Sequence, residues 1–236
     1  MNETNKNYVW DEIYKKYELE SENLYFYERL LNVMNPYIRD DTSILEVGFG
    51  SGYIVSYFQD KLLFSVGLDI NKEPIKTARN FFKSKNLVQG DVFNIPFKDC
   101  SFDIVWNEGM LEHWKFEKSL NALKEMKRVA KNYVIIAVPN CFSIWVLKKF
   151  LFKILGKWRF GYEESYSSRR LKKLFRLSNL EIVDVKGLQI FFGFILKIKF
   201  FAKLANKIEN KYENFVKYFS YELFIIGKKN NNLFQI

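Results

Sequence analysis

The chain has 236 residues, of which 48% are hydrophobic and 27% charged, and this composition fits one globular domain. It excludes a disordered chain, a collagen-like repeat and a coiled-coil rod. The longest nearly apolar run covers residues 188–196, whereas a membrane-spanning helix needs roughly 20 such residues.

The net charge of +10 is distributed unevenly along the chain. Residues 1–140 contain 18 basic and 20 acidic side chains, whereas residues 141–236 contain 19 basic and 7 acidic ones. A basic C-terminal half rich in aromatic residues suits an anionic surface, such as phospholipid headgroups, RNA or an acidic substrate. The alternative is a composition bias that leaves the lysines merely solvated.

Cysteine content and the N-terminus indicate the compartment. Cys100 and Cys141 are the two cysteines, and they have no close metal-ligand spacing, so we expect free thiols, no disulfide and no metal site. The first ten residues lack the basic start and apolar centre of a secretory signal. A cytoplasmic location is therefore expected.

Short aliphatic and β-branched runs alternate with longer amphipathic stretches, which is typical of a parallel sheet covered by helices. Strands are predicted at residues 43–47, 64–69, 87–90, 102–107, 133–138, 180–186 and 221–226. Helices are predicted at 52–59, 74–82 and 117–130, with one or two more over the aromatic stretch 9–32. The first five strands and their helices predict a doubly wound α/β sheet.

We interpret the chain as one domain in three parts. Residues 1–42 form a helical cap, residues 43–140 form the ligand-binding core, and residues 141–236 form a basic half that contacts the substrate. Within that half, residues 141–166 and 188–220 exceed the usual connections of α/β units and are predicted to be helical insertions.

The most informative motif is ILEVGFGSG at residues 44–52, in which an apolar strand leads into Gly48, Gly50 and Gly52 and then into a helix. Glycines let the backbone turn tightly and approach a ligand, and the helix N-terminus offers unpaired N–H groups. The motif predicts a nucleotide-like ligand. A dinucleotide fingerprint would place its third glycine where Tyr53 stands, which disfavours NAD.

Acidic residues follow the next two strands. Asp69 ends the second strand, where a carboxylate can accept hydrogen bonds from both hydroxyls of an adenosine ribose. Asp91 follows the third strand, where it can accept from an adenine amino group. Together with the glycines they predict a ligand crevice at the carboxyl ends of three consecutive strands.

In chain order, the motifs ILEVGFGSG, VGLDI, GDVFNIPF, CSFDIVWNEGMLEHW and VIIAVPN resemble those of the class I S-adenosylmethionine-dependent methyltransferases, above all their small-molecule branch. The resemblance covers roughly residues 43–140. It implies a Rossmann-like, seven-stranded sheet whose last strand runs antiparallel between its neighbours. One departure is residues 130–132, which stand where the family usually has a Pro-Gly-Gly-type turn, so we expect Asn132 to supply the turn geometry.

The resemblance also implies S-adenosylmethionine as the cofactor and a set of residues that bind it. Gly48, Gly50 and Gly52 would line its methionine part, Asp69 the ribose and Asp91 the adenine. The remaining cofactor-binding candidates are Glu46, Ile70, Val92 and Asn107, of which Asn107 would face the cofactor or the substrate.

Methyl transfer from a sulfonium mainly requires positioning, and a general base is needed only for a hydroxyl or protonated amine acceptor. His113, the single histidine, is the candidate base, and Glu108 is a second catalytic candidate. The alternative is that His113 caps or orients the helix that begins near Lys115. Tyr14 and Tyr17 could close over the cofactor, or could simply pack.

The two insertions indicate the substrate. Lys149, Lys153 and Lys157 recur every four residues, which predicts a lysine face on a helix whose apolar residues lie elsewhere, and residues 199–219 repeat the pattern. Such helices suit an anionic membrane interface and a lipophilic acceptor. The alternative is that the apolar stripes pack on the sheet or on a second subunit. No RNA-binding module is recognisable, which disfavours nucleic acid.

The leading hypothesis is a methyltransferase that acts on a small acceptor, with a lipophilic one favoured. Two alternatives remain open at this point. One is a non-catalytic S-adenosylmethionine-binding protein with a role in regulation or assembly, and the other is an NAD-dependent oxidoreductase.

Overall fold

The structure, a computed structural model, describes residues 3–15, 21–188, 207, 211 and 218–230. The strands within these ranges are β1 (Ile44–Val47), β2 (Ser65–Asp69), β3 (Leu87–Gln89), β4 (Phe102–Glu108), β5 (Ala130–Pro139), β6 (Leu180–Leu188) and β7 (Glu222–Lys229). The α-helices are α1 (Glu3–Lys15), α2 (Ser21–Met34), α3 (Tyr53–Asp60), α4 (Lys72–Phe82), α5 (Phe116–Val129), α6 (Ile144–Ile154) and α7 (Ser168–Leu177).

The seven strands form one sheet in the order β3-β2-β1-β4-β5-β7-β6. Strands β1 to β5 are parallel, and β7 runs antiparallel to both β5 and β6. This arrangement confirms the predicted Rossmann-like sheet and its antiparallel last strand. Because the strand order reverses between β1 and β4, a crevice opens at the carboxyl ends of these strands.

Helices cover both faces of the sheet. On one face α5 and α7 bury Met126 and Phe175 against the central strands, and on the other α2 and α3 bury Met34 and Phe58. Each such side chain stabilises the fold by about 1.5–3 kcal/mol. Strands buried on both faces have nearly continuous apolar sequences, which explains why the central strands could be predicted.

The N-terminal stretch forms two helices, and α1 packs on α4. The Thr77 hydroxyl donates to the Tyr14 carbonyl at 3.1 Å, and the Glu73 N–H donates to the Asp11 carboxylate at 3.3 Å. Since α4 begins immediately after β2, these bonds hold α1 beside the carboxyl edge of the sheet.

The predicted turn at Asn132 is wrong, because α5 passes directly into β5. Ala130 already has an extended backbone, with φ −76° and ψ 140°, and begins the strand. The Lys229 ammonium donates to the carbonyls of Arg128 and Ala130 at 3.3 and 2.9 Å, which satisfies the end of the helix without a glycine. Asn132 instead donates its side-chain amide to Asp103 at 3.3 Å.

The predicted lysine face of the first insertion is wrong at Lys149 and in its extent. Lys149 is buried and bonds to Glu163 at 3.1 Å and to Ser165 at 2.6 Å, while Lys157 lies beyond the end of α6. Lys153 and Lys157 are exposed, and so are seven apolar residues that are each more than half accessible to solvent: Phe142, Ile144, Leu147, Phe150, Leu151, Ile154 and Leu155. We call these seven side chains the α6 apolar face. Most of the second predicted helix, over 199–219, lies outside the described residues.

Two further observations concern helices of the C-terminal half. Helix α7 was not among the predicted helices, although it begins with a clear cap in which the Ser167 side chain accepts the Arg170 N–H at 3.2 Å. Across the described ranges, no helix has both the length and the apolar composition needed to cross a bilayer.

Gly227 offers a test of how β7 and α7 pack. A Cβ at this position would lie 2.6 Å from the buried Phe175 ring. We therefore expect Gly227→Ala to lower the free energy of unfolding by about 1–3 kcal/mol in urea denaturation. Lys228→Ala, at the exposed neighbour, is the control and should change it little. Adding Phe175→Leu to Gly227→Ala should recover part of the loss, and no recovery would contradict this account.

Candidate active site

A cleft of about 320 Å³ opens at the carboxyl ends of β1 to β4, a volume typical of small-molecule and cofactor sites. Of the residues proposed from the sequence, Glu46, Gly48, Gly50, Asp69, Ile70, Asp91, Val92, Glu108 and His113 line it. The structure thus brings together most of the predicted site. The lining also includes Trp10, Tyr14, Tyr27, Ser51, Asn71, Phe93, Met110 and Trp114.

The floor of the cleft is the loop between β1 and α3. Gly48 and Gly50 have φ angles of +69° and +55°, a conformation that favours glycine. A Cβ on Gly50 would lie 2.3 Å from the Tyr14 hydroxyl oxygen, and one on Gly48 would lie 3.0 Å from the Met110 sulfur. The absence of side chains therefore lets the bare backbone of this loop face the cleft.

Gly52 has a different place from the other two glycines. It is not among the residues that line the cleft, and a Cβ there would lie 2.3 Å from the Ala78 Cβ. Gly52 thus lets the start of α3 pack closely on α4, which is the helix-packing use of a glycine rather than ligand contact.

Asp69 joins the glycine loop to the end of β2. It is 7% exposed, and its Oδ1 accepts the Asn71 N–H at 2.9 Å, with a further hydrogen bond from the Gly50 backbone. Burial raises the pKa of Asp69 to about 6, and these hydrogen bonds only partly oppose that effect. The carboxylate is held rigidly and retains capacity to accept hydrogen bonds from a ligand.

Asp91, Ile70 and Val92 lie together at the β2 and β3 end of the cleft. Asp91 is exposed at the rim, where its Oδ1 accepts the Phe93 N–H at 2.9 Å. Val92 is buried, whereas Ile70 is partly exposed and presents apolar surface to the cleft. This end therefore combines one carboxylate with flanking aliphatic side chains.

Two glutamates approach the cleft from β1 and β4. Glu46 is 6% exposed, and its Oε2 has no hydrogen-bond partner among the described residues. Burial, with the negative charges of Glu108 and Asp69, raises the pKa of Glu46 well above its usual value. Burial also raises the pKa of Glu108 to about 7, while a hydrogen bond with the Glu222 side chain opposes that shift.

Asn107 does not line the cleft. It is fully buried, and its side-chain amide donates to the Val47 carbonyl at 2.7 Å. This bond ties the end of β1 to the end of β4, on the two sides of the crevice. The structure gives Asn107 a positioning place rather than the predicted place facing the cofactor or substrate.

His113 lies in the 3-10 helix Leu111–His113 and lines the cleft. Its Nδ1 is 2.9 Å from the Tyr162 carbonyl oxygen, and its ring meets the Trp10 ring edge-on at 5.0 Å. The N-cap residue of α5, Lys115, makes no side-chain cap hydrogen bond. Because a carbonyl oxygen only accepts, Nδ1 carries the proton, so the neutral ring has its lone pair on Nε2.

Aromatic side chains extend from the cleft towards α6. Ring centroids are 5.9 Å apart for Trp10 and Phe160, 5.1 Å for Phe160 and Trp158, 6.2 Å for Trp158 and Trp145, and 5.4 Å for Trp145 and Tyr221. We call these five residues the aromatic wall. Its members come from α1, from α6, from the loop after α6 and from the residue before β7, so no pattern in the sequence indicates their proximity.

Helix α1 places both Trp10 and Tyr14 on the cleft, as expected for Tyr14, whereas Tyr17 lies outside the described residues. Sequence reasoning missed Met110, Ser51 and Asn71 as lining residues. Ser51 and Asn71 adjoin predicted site residues in the chain, and Met110 lies two positions after Glu108, which is the one signal that could have indicated them.

Comparison with known proteins agrees with this geometry. Residues 45–138 match the family model described as a methyltransferase domain. An uncharacterised protein of Methanocaldococcus jannaschii is 26% identical over 239 aligned residues, which cover 94% of this chain and 90% of that protein.

Solved structures share the fold. A methyltransferase of Thermotoga maritima, described as a possible histamine N-methyltransferase, has a TM-score of 0.70 at 16% identity, covering 95% of this chain and 100% of that one. Magnesium protoporphyrin IX methyltransferase of Synechocystis, with bound S-adenosylhomocysteine, has a TM-score of 0.61 at 12% identity, covering 97% and 95%. Residues 45–138 therefore carry a methyltransferase domain, and the sheet order and the glycine-lined cleft agree with the class I S-adenosylmethionine-dependent fold.

Proposed function

We propose that this methyltransferase transfers the methyl group of S-adenosylmethionine to a small, lipophilic acceptor. The observation that carries the proposal is the aromatic wall, which runs from Trp10 in the cleft to Trp145 on α6. Aromatic side chains favour apolar ligands through their large contact area. The wall ends at Trp145 on α6, the helix that also carries the α6 apolar face.

The cleft fits the cofactor. The bare backbone at Gly48 and Gly50 suits the methionine part, and the unpartnered Oε2 of Glu46 suits its ammonium group. Asp69 would accept hydrogen bonds from the ribose hydroxyls, and Asp91 from the adenine amino group. When bound, S-adenosylmethionine supplies a methyl group that its sulfonium makes electrophilic.

Other residues would complete the cofactor site indirectly. Ile70 and Val92 would flank the adenine ring, since they present aliphatic surface beside Asp91. Asn107 would keep the ends of β1 and β4 at a fixed separation through its bond to Val47. Such positioning matters because holding the reactants in near-attack geometry supplies roughly 7–11 kcal/mol in favourable cases.

His113 and Glu108 are the groups that would remove a proton from an acceptor that carries one. The Nε2 of His113 has the lone pair required of a base, since Nδ1 donates to Tyr162. Glu108 lines the same cleft, and its pKa of about 7 suits proton transfer near neutral pH.

We also propose that α6 contacts an anionic membrane surface. Residues 141–162 contain no acidic side chain and five basic ones, of which Lys149 is buried and the other four are exposed, and the α6 apolar face stands among these four. Apolar side chains that enter the headgroup region, with lysines that pair with anionic lipid, are the properties of an interfacial helix. A lipophilic acceptor would then reach the cleft along the aromatic wall.

A labelling experiment tests the class of acceptor. Protein incubated with S-adenosylmethionine labelled in its methyl group and with total cell extract should place label in compounds that partition into organic solvent. The Asp69→Asn variant serves as the control for non-enzymatic labelling. Label confined to water-soluble products would contradict a lipophilic acceptor.

Asp69→Asn tests the cofactor site. The amide keeps the shape but loses the charge that strengthens hydrogen bonds from the ribose, each worth about 1.5–3 kcal/mol when charge-assisted. We expect the dissociation constant for S-adenosylmethionine to rise roughly 10-fold to 100-fold in calorimetric titration. Asp60→Asn, at the exposed end of α3, should bind like the unsubstituted protein. Equal affinity for both variants would remove Asp69 from the site.

The same variant should be more stable without cofactor, which separates lost binding from misfolding. The pKa of Asp69 is raised from 3.8 to about 6 in the folded protein, so the ionised carboxylate destabilises the fold as pH rises from about 4 through 6. Asp69→Asn should therefore raise the free energy of unfolding at pH 7 by up to about 3 kcal/mol, with no gain below pH 4.

Vesicle co-sedimentation tests the membrane contact. The unsubstituted protein should bind vesicles of phosphatidylcholine with phosphatidylglycerol at low salt, and salt should weaken the binding. Replacing Leu147 and Ile154 together by Gln should weaken it more than tenfold, because two large apolar side chains no longer enter the interface. Leu62→Gln is the matched control, since Leu62 is 93% exposed on a loop far from α6 in sequence. Failure of the unsubstituted protein to bind at low salt would rule the contact out.

A further inference from the structure

Three glutamates from different strands lie on one face of the sheet at its carboxyl edge. Glu46 on β1 pairs with Trp106 on β4, and Glu108 lies two residues further along β4 on the same face. Glu108 pairs with Ala137 on β5, which in turn pairs with Phe224 on β7. Glu222, two residues before Phe224, therefore points to the same face as the other two glutamates.

Two of these carboxylates, Glu46 and Glu222, are buried and incompletely paired, whereas Glu108 is partly exposed and lines the cleft. Glu222 is 2% exposed and shares a hydrogen bond with Glu108, yet its Oε2 has no partner among the described residues. Glu46 lines the cleft with its own unpartnered Oε2. Buried polar atoms are nearly always hydrogen-bonded in native proteins, so these oxygens indicate groups that a ligand supplies.

Other carboxylates add negative charge around Glu108 and Glu222. Besides burial, the strongest influences on the pKa of Glu222 are the carboxylates of Glu108, Glu112 and Glu163, and all of them raise it. The nearby buried cation, Lys149, already bonds to Glu163 and Ser165. A buried carboxylate without a counter-charge is costly, and a cation that donates hydrogen bonds offsets that cost.

We infer that the acceptor is an amine whose nitrogen binds at Glu108, with Glu222 holding the Glu108 carboxylate in place. This inference rests on the proposed function and names the class of its acceptor. Glu46 stands next to the glycine loop and suits the ammonium of the cofactor. Glu108 and Glu222 extend from there towards β7 and the aromatic wall, where the acceptor would lie.

The chemistry balances with the residues present. An ammonium acceptor first gives one proton to the Glu108 carboxylate. The freed lone pair of the nitrogen then forms the new N–C bond, and the C–S bond of the sulfonium breaks with its electron pair passing to sulfur. The product is a methylated ammonium together with the neutral thioether, and the Glu108 proton leaves to solvent through the open cleft.

Matched pairs of amines and alcohols test the inference. Binding is measured in the presence of saturating S-adenosylhomocysteine for benzylamine and benzyl alcohol, 4-phenylbutylamine and 4-phenylbutanol, and decylamine and decanol. We expect at least one amine to bind ten or more times more tightly than its alcohol. No preference for the amine in any pair would overturn the inference.

Variants test whether the ammonium group that Glu108 binds belongs to the acceptor or to the cofactor. Glu108→Gln should abolish the preference for the amine and change the affinity for S-adenosylhomocysteine less than twofold. A loss of S-adenosylhomocysteine affinity equal to the loss of amine affinity would assign Glu108 to the cofactor and overturn the inference. Glu181→Gln, at an exposed glutamate of β6, is the control.

Glu222 is a positioning residue, and its test uses rescue. Glu222→Leu should reduce the preference for the amine, whereas Glu222→Gln, which can still hydrogen-bond to Glu108, should restore most of it. Equal effects of both substitutions would overturn the role of Glu222.

Two further outcomes concern the inference as a whole. Failure of the unsubstituted protein to bind S-adenosylhomocysteine would refute the proposed function. Stabilisation of the protein by a divalent metal ion, without stabilisation by any of the amines, would overturn the choice of an amine as the ligand.

Discussion

The reversal of strand order between β1 and β4 is the constraint on which the whole site depends. Parallel strands all end at one edge, so β1, β2 and β4 bring Glu46, Asp69 and Glu108 to the same crevice. Strand β7 runs the other way, and it therefore reaches this edge with its first residue, Glu222, rather than its last. The antiparallel strand thus brings a residue at its start to the crevice, where a parallel strand brings a residue at its end.

Much of the fold and the cofactor end of the site could be predicted from the sequence because the signals are local. Central strands are nearly continuously apolar, the glycine motif follows β1 directly in the chain, and Asp69 ends β2. Gly52 and Asn107 carry the same local signals, yet their contacts are with Ala78 and Val47. Whether such a residue faces the cleft or a neighbouring element depends on residues that are distant in sequence. The local pattern of apolar and polar residues contains no information about those distant residues.

The packing of helix α6 likewise could not be predicted from the local sequence pattern. Its lysine spacing correctly indicates an amphipathic helix, but the pattern does not say which face meets protein. The ion pair of Lys149 with Glu163, together with Ser165, offsets the cost of burying the ammonium and turns the helix so that apolar residues face outward. Neither Glu163 nor Ser165 lies within a helical turn of Lys149, so only the folded chain reveals the pairing.

The net charge of the chain and the charges inside the cleft favour different kinds of ligand. The excess of positive charge resides in the C-terminal half, where it acts over the surface and within about 10 Å of screening in ordinary salt. Inside the cleft the medium is less polarisable, and the raised pKa values of Asp69 and Glu108 record how costly their ionised forms are there. A ligand that brings hydroxyl donors to Asp69 and a cationic nitrogen to Glu108 offsets that cost, whereas an anion would add to it. In the proposals made above, the basic surface would meet anionic lipid, while the carboxylates of the cleft, and not the net charge of the chain, would select what enters it.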